Sequence, residues 1–283
     1  MDRGGIVRTA KRPEGWVAPG PRPRGPGDRE DLWPGPGEDL CYLTGDFRIF
    51  QLIDGHRWSL DDLATAWFAL RQVRDRRIET TVDLGCGIGS VLLMTAWALP
   101  HARLLGIEAQ DVSFGMARRS VAYNGVEDRI ELRHGDIREP GVTGVNPTHD
   151  LVTGTPPYFD RSAGIVSDAP QKGPCRFEFR GGVEAYFAAA DRLLAPDGTF
   201  VVCESADQPE RVLAATRAHA MHVEARLDVI GKEGKQPLFS VFACRRGEVG
   251  PAATHVEAMT VRFADDRRTP EYIEMREDMG IPP

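Results

Sequence analysis

Short apolar runs alternate with longer amphipathic stretches through the middle of the chain. The apolar runs predict strands at 80–83, 103–109, 129–134, 150–155 and 199–204. The stretches between them carry apolar residues at helical spacing and predict helices at 91–99, 111–124, 182–194 and 209–220. Strands that alternate with helices of this length predict an α/β fold with a doubly wound, mostly parallel sheet.

The segments before and after these alternating strands and helices predict further secondary structure. Ser59 is a good helix N-cap with Asp62 at N3, so a helix is expected to begin at residue 60. The runs 223–230 and 238–245 flank the turn GKEGKQP and predict a hairpin-like pair that leaves the last strand antiparallel. The tripeptide 196–198, Pro-Asp-Gly, is expected to form a turn that closes the helix before it.

The two ends of the chain differ from the middle. Residues 1–38 are rich in Pro, Gly and Arg without strand or helix periodicity, which predicts a disordered tail. Its local positive charge would suit RNA phosphates, although a solvated tail is the simpler interpretation. We therefore expect one domain at 39–248 and a polar C-terminal extension at 249–283, with a short helix at 271–279.

Composition narrows the class of protein. Formal net charge is −7, which does not favour a nucleic-acid binder but leaves room for a local basic groove. The 5 cysteines are scattered without C-x-x-C spacing, which argues against a disulfide framework and against a metal site. No apolar run reaches the length of a membrane span. A cytoplasmic protein without metal or membrane is expected.

The first candidate for chemistry is the run TVDLGCGIGS at 81–90, where a strand meets a helix. Asp83 ends the strand, and Gly85, Gly87 and Gly89 follow. Glycines let the backbone turn sharply and lie against a ligand, and the free N–H groups of the next helix point there. The spacing G-x-G-x-G differs from the dinucleotide fingerprint G-x-G-x-x-G. A nucleotide-type ligand is expected, and a glycine-rich turn without a ligand is the alternative.

Two further strand ends carry polar or rigid groups. Glu108 follows the glycine loop by about twenty residues, the lag at which an acid binds the ribose hydroxyls of a nucleoside. The strand at 150–155 ends in Thr155, Pro156, Pro157 and Tyr158. Consecutive prolines stiffen a turn and leave carbonyls unpaired, and a tyrosine ring offers a face for stacking. This strand end therefore offers hydrogen-bond acceptors and a stacking surface to a ligand.

The run DLGCGIG resembles motif I of the seven-stranded, Rossmann-like S-adenosylmethionine-dependent methyltransferases. That resemblance implies a seven-stranded sheet whose last strand is antiparallel, with the loop passing under the methionine part of the cofactor. It implies that Asp83 lies near the methionine ammonium. It also implies that Asp136 accepts a hydrogen bond from the adenine amino group while Ile137 packs on the ring.

The run TPPYF at 155–159 looks like the [N/D/S]-P-P-[Y/F] motif of amino methyltransferases. In that motif the polar residue and a proline carbonyl accept hydrogen bonds from the target NH₂. The implied roles fall on Thr155 and the prolines, with Tyr158 stacking on the acceptor. Neither a metal nor a strong general base is implied.

From about residue 38 to about 246, the chain resembles the bacterial tRNA(Val) adenine-N6 methyltransferases. The likeness is carried by LTGDFRIFQLIDGHRWSLDDLATAWFA, DLGCGIGS, GIEAQ, HGD, TPPYF and CRFEFRGGVEAYFAAADRLLAPDGTF. It implies a tRNA substrate. It makes Arg57, Ser59 and Asp61 candidates to line the site, with Gln110, Glu178 and Arg180 as further ones.

Thr155 stands where the adenine-N6 enzymes usually have Asn. A Thr hydroxyl is a shorter acceptor than an Asn amide and lacks its NH₂ donor. Three hypotheses stay open: methylation of an exocyclic amino group of RNA, methylation of a protein amide, DNA base or small molecule, and a non-catalytic module that binds S-adenosylmethionine.

Overall fold

A computed structural model of the protein describes residues 4–158, 178, 180–247 and 254–283. In these ranges the chain forms strands β1 to β11 and helices α1 to α7. Their bounds in chain order are β1 Ile6–Val7, β2 Glu38–Tyr42, β3 Arg48–Leu52, α1 Leu60–Gln72, β4 Thr80–Leu84, α2 Ser90–Ala98, β5 Arg103–Glu108, α3 Asp111–Asn124, β6 Ile130–His134, α4 Pro140–Thr143, β7 His149–Gly154, α5 Val183–Leu193, β8 Leu194–Ser205, α6 Pro209–Ala218, β9 Met221–Ile230, β10 Phe239–Arg246, β11 His255–Thr260 and α7 Pro270–Asp278.

The main sheet has eight strands in the order β11-β9-β10-β8-β7-β4-β5-β6. Strands β8, β7, β4, β5 and β6 are parallel, and β10 runs antiparallel to both of its neighbours. The predicted doubly wound α/β fold is confirmed, and β10, the last strand that was predicted, is antiparallel. The eighth strand is β11, which pairs parallel with β9. The sequence did not predict it because the C-terminal extension is polar without sustained alternation.

Helices cover both faces of the sheet. On one face α1, α2 and α3 bury apolar side chains such as Phe68 and Leu93. On the other face α5 and α6 do the same, and the rings of Phe187 and Phe200 meet edge to face at 5.0 Å between centroids. Because both faces are covered, the carboxyl edge of the parallel strands remains the place where a ligand can bind.

Helix α1 begins as the sequence predicts. Its N-cap is Ser59, and Asp62 completes the capping box, since the Ser59 backbone N–H donates to Asp62 Oδ2 at 3.0 Å. This reciprocal cap satisfies two of the free N–H groups at the helix start. It also fixes the direction of the side chains in the first turn of α1, where Asp61 and Asp62 line the cavity described below.

The turn expected at 196–198 is instead part of strand β8, which begins directly after α5 at Leu194. The pairing of β8 with β7 shifts register between His149 and Leu151. Such a bulge absorbs extra residues in one strand without ending the ladder. The Pro-Asp-Gly sequence therefore marks an irregularity within a strand.

The N-terminal segment differs from the disordered tail that its composition predicts. From residue 4 onward it follows the domain, and β1 adds to a small three-stranded sheet with β2 and β3. Arg8 pairs with Asp39 at 2.8 Å and Arg12 with Asp46 at 2.6 Å. These two arginines thus have carboxylate partners on the domain, a fact that composition alone does not reveal.

The C-terminal extension packs on α1. Trp67 Nε1 donates to Asp278 Oδ2 at 2.8 Å, and Met275 and Met279 are buried in the core beside α1. The boundaries at 38 and 248 stay predictions, but both flanking segments contact the central sheet or its helices.

The variant Met275→Ala is expected to lower the free energy of unfolding by about 2–5 kcal/mol, because it removes a fully buried side chain and leaves a cavity. Denaturant unfolding measures this. The control is Glu274→Ala, an exposed position on the same helix, where the change should stay within about 0.5 kcal/mol. Equal effects of the two variants would show that α7 does not contribute to the core.

Candidate functional site

The centre of the site is the point where the neighbouring strands β4 and β7 end. The two strands pair in register, with Leu84 opposite Gly154. The glycine loop therefore starts directly beside the Thr155–Tyr158 turn. Gly87 has φ +57°, and a Cβ there would meet nothing within 4 Å. Its missing side chain leaves open space on the loop, as a close-lying ligand requires.

A cavity of about 560 Å³ opens over this junction. It is bounded by the glycine loop, the ends of β5, β6 and β7, and the start of α1. Most of the sequence-predicted residues line it: Gly85, Gly87, Glu108, Asp136, Ile137, Thr155, Pro156, Pro157 and Tyr158, with Gln110, Arg57, Ser59, Asp61 and Arg180. The fold therefore brings residues from six separate segments together at one place.

Three predicted residues do not line the cavity. Asp83 is buried behind the glycine loop, and Gly89 is the N-cap of α2. Glu178 pairs with Arg211 of α6 at 2.5 Å. Phe159, the last residue of the TPPYF run, lies outside the described residues.

Glu108 joins the glycine loop to the start of α3. Its Oε2 accepts from the Gly87 N–H at 2.9 Å, and its Oε1 accepts from the Gln110 N–H at 2.6 Å. Burial raises the pKa of this carboxyl, while the backbone hydrogen bonds oppose the rise. A carboxylate has about four acceptor sites, so two backbone donors leave capacity for ligand hydroxyl groups.

Asp136 is held in place by Arg138. Its carboxylate receives the guanidinium at 2.7 Å and the Arg138 backbone N–H at 2.9 Å. Burial alone would raise its pKa, but the hydrogen bonds from Arg138 hold it below the usual value. Ile137 beside it is 7% exposed and offers an apolar wall.

Two buried carboxyl groups, Asp62 and Asp83, lie beneath the glycine loop. Thr153 Oγ1 donates to Asp83 Oδ1 at 2.8 Å, while Asp83 Oδ2 has no hydrogen-bond partner among the described residues. Burial raises the pKa of Asp83 to about 7, and the charge of Asp62 adds to the rise. Burial, with the nearby charge of Asp61, likewise raises the pKa of Asp62. Both would be stabilised as anions by a cation bound nearby.

The tyrosine of the proline turn is anchored at its hydroxyl. Tyr158 Oη lies 2.7 Å from Cys203 Sγ and 3.3 Å from Asp61 Oδ2. Burial, with Cys203 and Asp61 beside it, raises the pKa of this phenol well above its usual value, so the group stays neutral. The anchor fixes the plane of the ring at the wall of the cavity.

Arg57 reaches the cavity from the segment before α1. Its guanidinium donates to Asp39 Oδ2 at 2.9 Å, and Arg8 of the N-terminal segment shares that oxygen. Burial would raise the pKa of Asp39, but the two arginines hold it below its usual value. The cavity thus has a cationic side, whereas its floor carries acidic groups.

Sequence reasoning missed several lining residues, including Asp62, Gly135 and Tyr186. Asp62 was assigned only to the helix cap, although the cap itself turns it toward the loop. Gly135 precedes the predicted Asp136 and could have been included with it. Tyr186 lies in an amphipathic helix, where nothing distinguishes it from a core residue.

Within the described ranges, no group of three or more His, Cys, Asp or Glu side chains is arranged to hold a metal ion. The helices of those same ranges are all too short or too polar to cross a membrane. The arrangement suits a ligand with a nucleoside part and a positive charge, set against a rigid turn that faces a second, planar molecule.

Comparisons with known proteins agree with this chemistry. A family model described as the methyltransferase small domain matches residues 59–172. A tRNA1(Val) (adenine(37)-N6)-methyltransferase of Tolumonas auensis is 26% identical over 207 residues, covering 73% of this chain and 84% of that protein. The protein of that name from Dickeya chrysanthemi is 29% identical over 235 residues, covering 80% and 89%.

A ribosomal protein uL3 glutamine methyltransferase of Bradyrhizobium diazoefficiens is 30% identical over 161 residues, but the match covers 53% of this chain and 44% of that protein.

Solved structures share the fold. A predicted O-methyltransferase of Agrobacterium tumefaciens superposes with a TM-score of 0.58 at 15% identity, covering 78% of this chain and 98% of that one. TYW2 of Pyrococcus horikoshii, in complex with MeSAdo, superposes with a TM-score of 0.52 at 14% identity, covering 76% and 73%.

Proposed function

We propose that this chain, an S-adenosylmethionine-dependent methyltransferase by its family model and relatives, methylates an exocyclic amino group of RNA. Adenine N6 of a tRNA is the first candidate. One observation carries the proposal. The glycine loop and the Thr155–Tyr158 turn start from paired positions of adjacent strands and share one cavity. A methyl donor on the loop and an amino group at the turn would face each other over a short distance.

The residues of the cavity fit the cofactor of this class. Gly87 leaves space above the loop, and Glu108 is a buried carboxylate with acceptor capacity for ribose hydroxyls. Asp83 lies behind the loop and does not line the cavity, but its Oδ2 is unpaired within the described ranges, and we assign it to the methionine ammonium, directly or through water. Asp136 and Ile137 form the adenine end in this proposal. When bound, S-adenosylmethionine supplies an electrophilic methyl group on a positively charged sulfur.

On the acceptor side, the residues act by positioning the target amine. We assign the Thr155 hydroxyl and the Pro156 carbonyl as acceptors for the two N–H groups of the target amine, and the Tyr158 ring as the surface on which the base stacks. Holding both N–H groups favours the geometry in which the nitrogen lone pair points at the methyl group. Placing two reactants in line supplies much of the rate enhancement without a strong base.

RNA is favoured as the acceptor by the two relatives whose names specify tRNA adenine-N6 methylation. Arg57 and Arg180 give the cavity a cationic side that suits phosphates of the acceptor. We place the reaction in a reducing compartment such as the cytoplasm, since Cys41, Cys86, Cys203 and Cys244 are free thiols.

A protein amide is the second candidate. The observation that favours it is Thr155 in place of Asn, together with the partial match to a ribosomal protein glutamine methyltransferase. A tritium-labelled cofactor tests the choice when it is incubated with separate pools of total tRNA, DNA and protein. Label in tRNA is expected. Label in the protein pool alone would contradict the RNA proposal, and label in none would favour a non-catalytic module.

The variant Thr155→Asn is expected to raise adenine methylation by about 10-fold, because the amide carbonyl reaches further than the Thr hydroxyl and is a planar acceptor for an N–H of the target amine. Thr155→Val, which keeps the shape and removes the hydroxyl, is the matched control and should lower turnover. Nucleoside analysis of the methylated RNA measures both. If all three proteins make the same product at the same rate, position 155 does not contact the amine.

Cofactor affinity is expected to rise from pH 6 to pH 7.5. Burial raises the pKa of Asp83 to about 7, so below that pH the group is mostly protonated and a bound ammonium lacks its anion. Below this pKa, binding releases one proton from Asp83, so each unit of pH should raise cofactor affinity by up to about 10-fold. Calorimetry across this range measures it, and Asp83→Asn should flatten the profile. A flat profile in the unaltered protein would place the ammonium elsewhere.

A further inference from the structure

Helix α5 carries a tyrosine that lies where the glycine loop meets the end of β7. Tyr186 lines the cavity and is only 7% exposed. It lies next to the glycine loop on one side and next to the end of β7 on the other. The proposed reaction leaves this residue without a role.

Two glycines make room for this side chain. A Cβ on Gly85 would clash with the Tyr186 hydroxyl oxygen, far inside contact distance. A Cβ on Gly154 would lie 2.5 Å from Tyr186 Cδ1. Non-bonded carbon atoms pack at about 3.5–4.0 Å, so a side chain larger than Gly at either position would have to displace the tyrosine. Tyr186 therefore fills the gap between the backbone of the glycine loop at Gly85 and the backbone of the strand end at Gly154.

The helix that carries the tyrosine is held in the core, and Tyr186 belongs to the same buried apolar cluster as Phe187. Its neighbour Phe187 is fully buried and packs edge to face on Phe200 of β8. At the first turn of α5, Glu184 pairs with Arg211 of α6 at 2.7 Å. Because protein cores are densely packed, a side chain held in this way acts as a rigid spacer.

We propose that Tyr186 is a positioning residue that sets the distance between the cofactor loop and the acceptor turn. Its hydroxyl supports the loop at Gly85, and its ring supports the strand end at Gly154. The assignment rests on the proposed function insofar as the turn after Gly154 holds the acceptor. Transfer between two bound molecules depends steeply on their spacing, and a misplacement of about 1 Å can cost about 100-fold in rate.

A double-mutant cycle tests the spacing. Gly85→Ala should lower kcat about 100-fold and weaken cofactor binding, because the new methyl group meets the hydroxyl oxygen. Tyr186→Phe removes that oxygen and leaves Cζ, at 3.2 Å, as the nearest ring atom. The double variant should therefore regain at least about 10-fold of the loss, a coupling that only neighbouring residues show.

The matched control is Gly87→Ala. Gly87 has φ +57° and Gly85 has φ +59°, so both changes carry the same backbone strain, but a Cβ on Gly87 meets no neighbouring atom. Its effect should be the same whether it is made in the unaltered protein or in the Tyr186→Phe variant. Equal effects of Gly85→Ala in these two backgrounds would overturn the proposal.

A second readout separates spacing from general stability. Tyr186→Ala should lower kcat about 100-fold while the KM for RNA changes less than about 5-fold, in protein shown to be folded by circular dichroism. A lowered melting temperature with unchanged kcat would overturn the proposal. Cofactor affinity and melting temperature in the Gly85 cycle need no acceptor, so they test the loop contact even if RNA is not the substrate.

Discussion

Replacing Glu108 with alanine is expected to weaken S-adenosylmethionine binding by at least about 100-fold. Hydrogen bonds to a charged group contribute about 1.5–3 kcal/mol each, and two ribose hydroxyls would lose their acceptor. The change would also release the Gly87 and Gln110 backbone N–H groups, which Glu108 holds at 2.9 and 2.6 Å. The glycine loop would lose its brace together with its ligand contact. Isothermal titration calorimetry measures the loss directly.

Two further variants separate these contributions. Glu108→Gln keeps one acceptor oxygen and should fall between the unaltered protein and the alanine variant. Glu131→Ala removes a carboxylate of the neighbouring strand β6 that is 61% exposed, and it should leave affinity unchanged. Cofactor binding that survives Glu108→Ala without loss would remove this residue from the ribose site.

Replacing Tyr158 with alanine is expected to lower kcat/KM for RNA by about 10- to 100-fold, since stacking of a base on an aromatic ring contributes about 1–3 kcal/mol. Cofactor affinity should stay within about 3-fold, because in the proposed site the ring faces the acceptor. Initial-rate kinetics with tRNA, paired with calorimetry for the cofactor, measure the two effects.

The matched control is Tyr158→Phe. It keeps the stacking surface but loses the hydroxyl that lies 2.7 Å from Cys203 Sγ and 3.3 Å from Asp61 Oδ2. A loss of only a few-fold is expected from the looser ring. Full activity of the alanine variant would mean that the acceptor does not stack on this residue, and a loss in the phenylalanine variant as large as in alanine would assign the role to the hydroxyl.

Local sequence signals were sufficient for the parallel core. Strand β4, the glycine loop and α2 follow from an apolar run, three glycines and an apolar helix, and each signal lies within about twenty residues. The ends of β5, β6 and β7 could then be predicted to lie near the glycine loop, because parallel strands place their carboxyl ends at one edge of the sheet. Glu108, Asp136 and Thr155 line that cavity, and their roles stay predictions.

Features that depend on long-range packing could not be predicted in this way. Strand β11 is polar and finds its place only by pairing with β9. The N-terminal segment follows the domain because Arg8 and Arg12 find carboxylates more than thirty residues away. Tyr186 is defined by its fit against Gly85 and Gly154, and no spacing in the sequence reveals that contact.

The proposed reaction is methyl transfer to an amino group of an RNA base. The most direct test is incubation of the protein with unmodified tRNA and S-adenosylmethionine that carries a deuterated methyl group, followed by mass spectrometry of the nucleosides. We expect labelled N6-methyladenosine, formed about 10- to 100-fold more slowly by the Tyr158→Ala variant. Label on a ring nitrogen, on ribose, or in no nucleoside would contradict the proposed reaction.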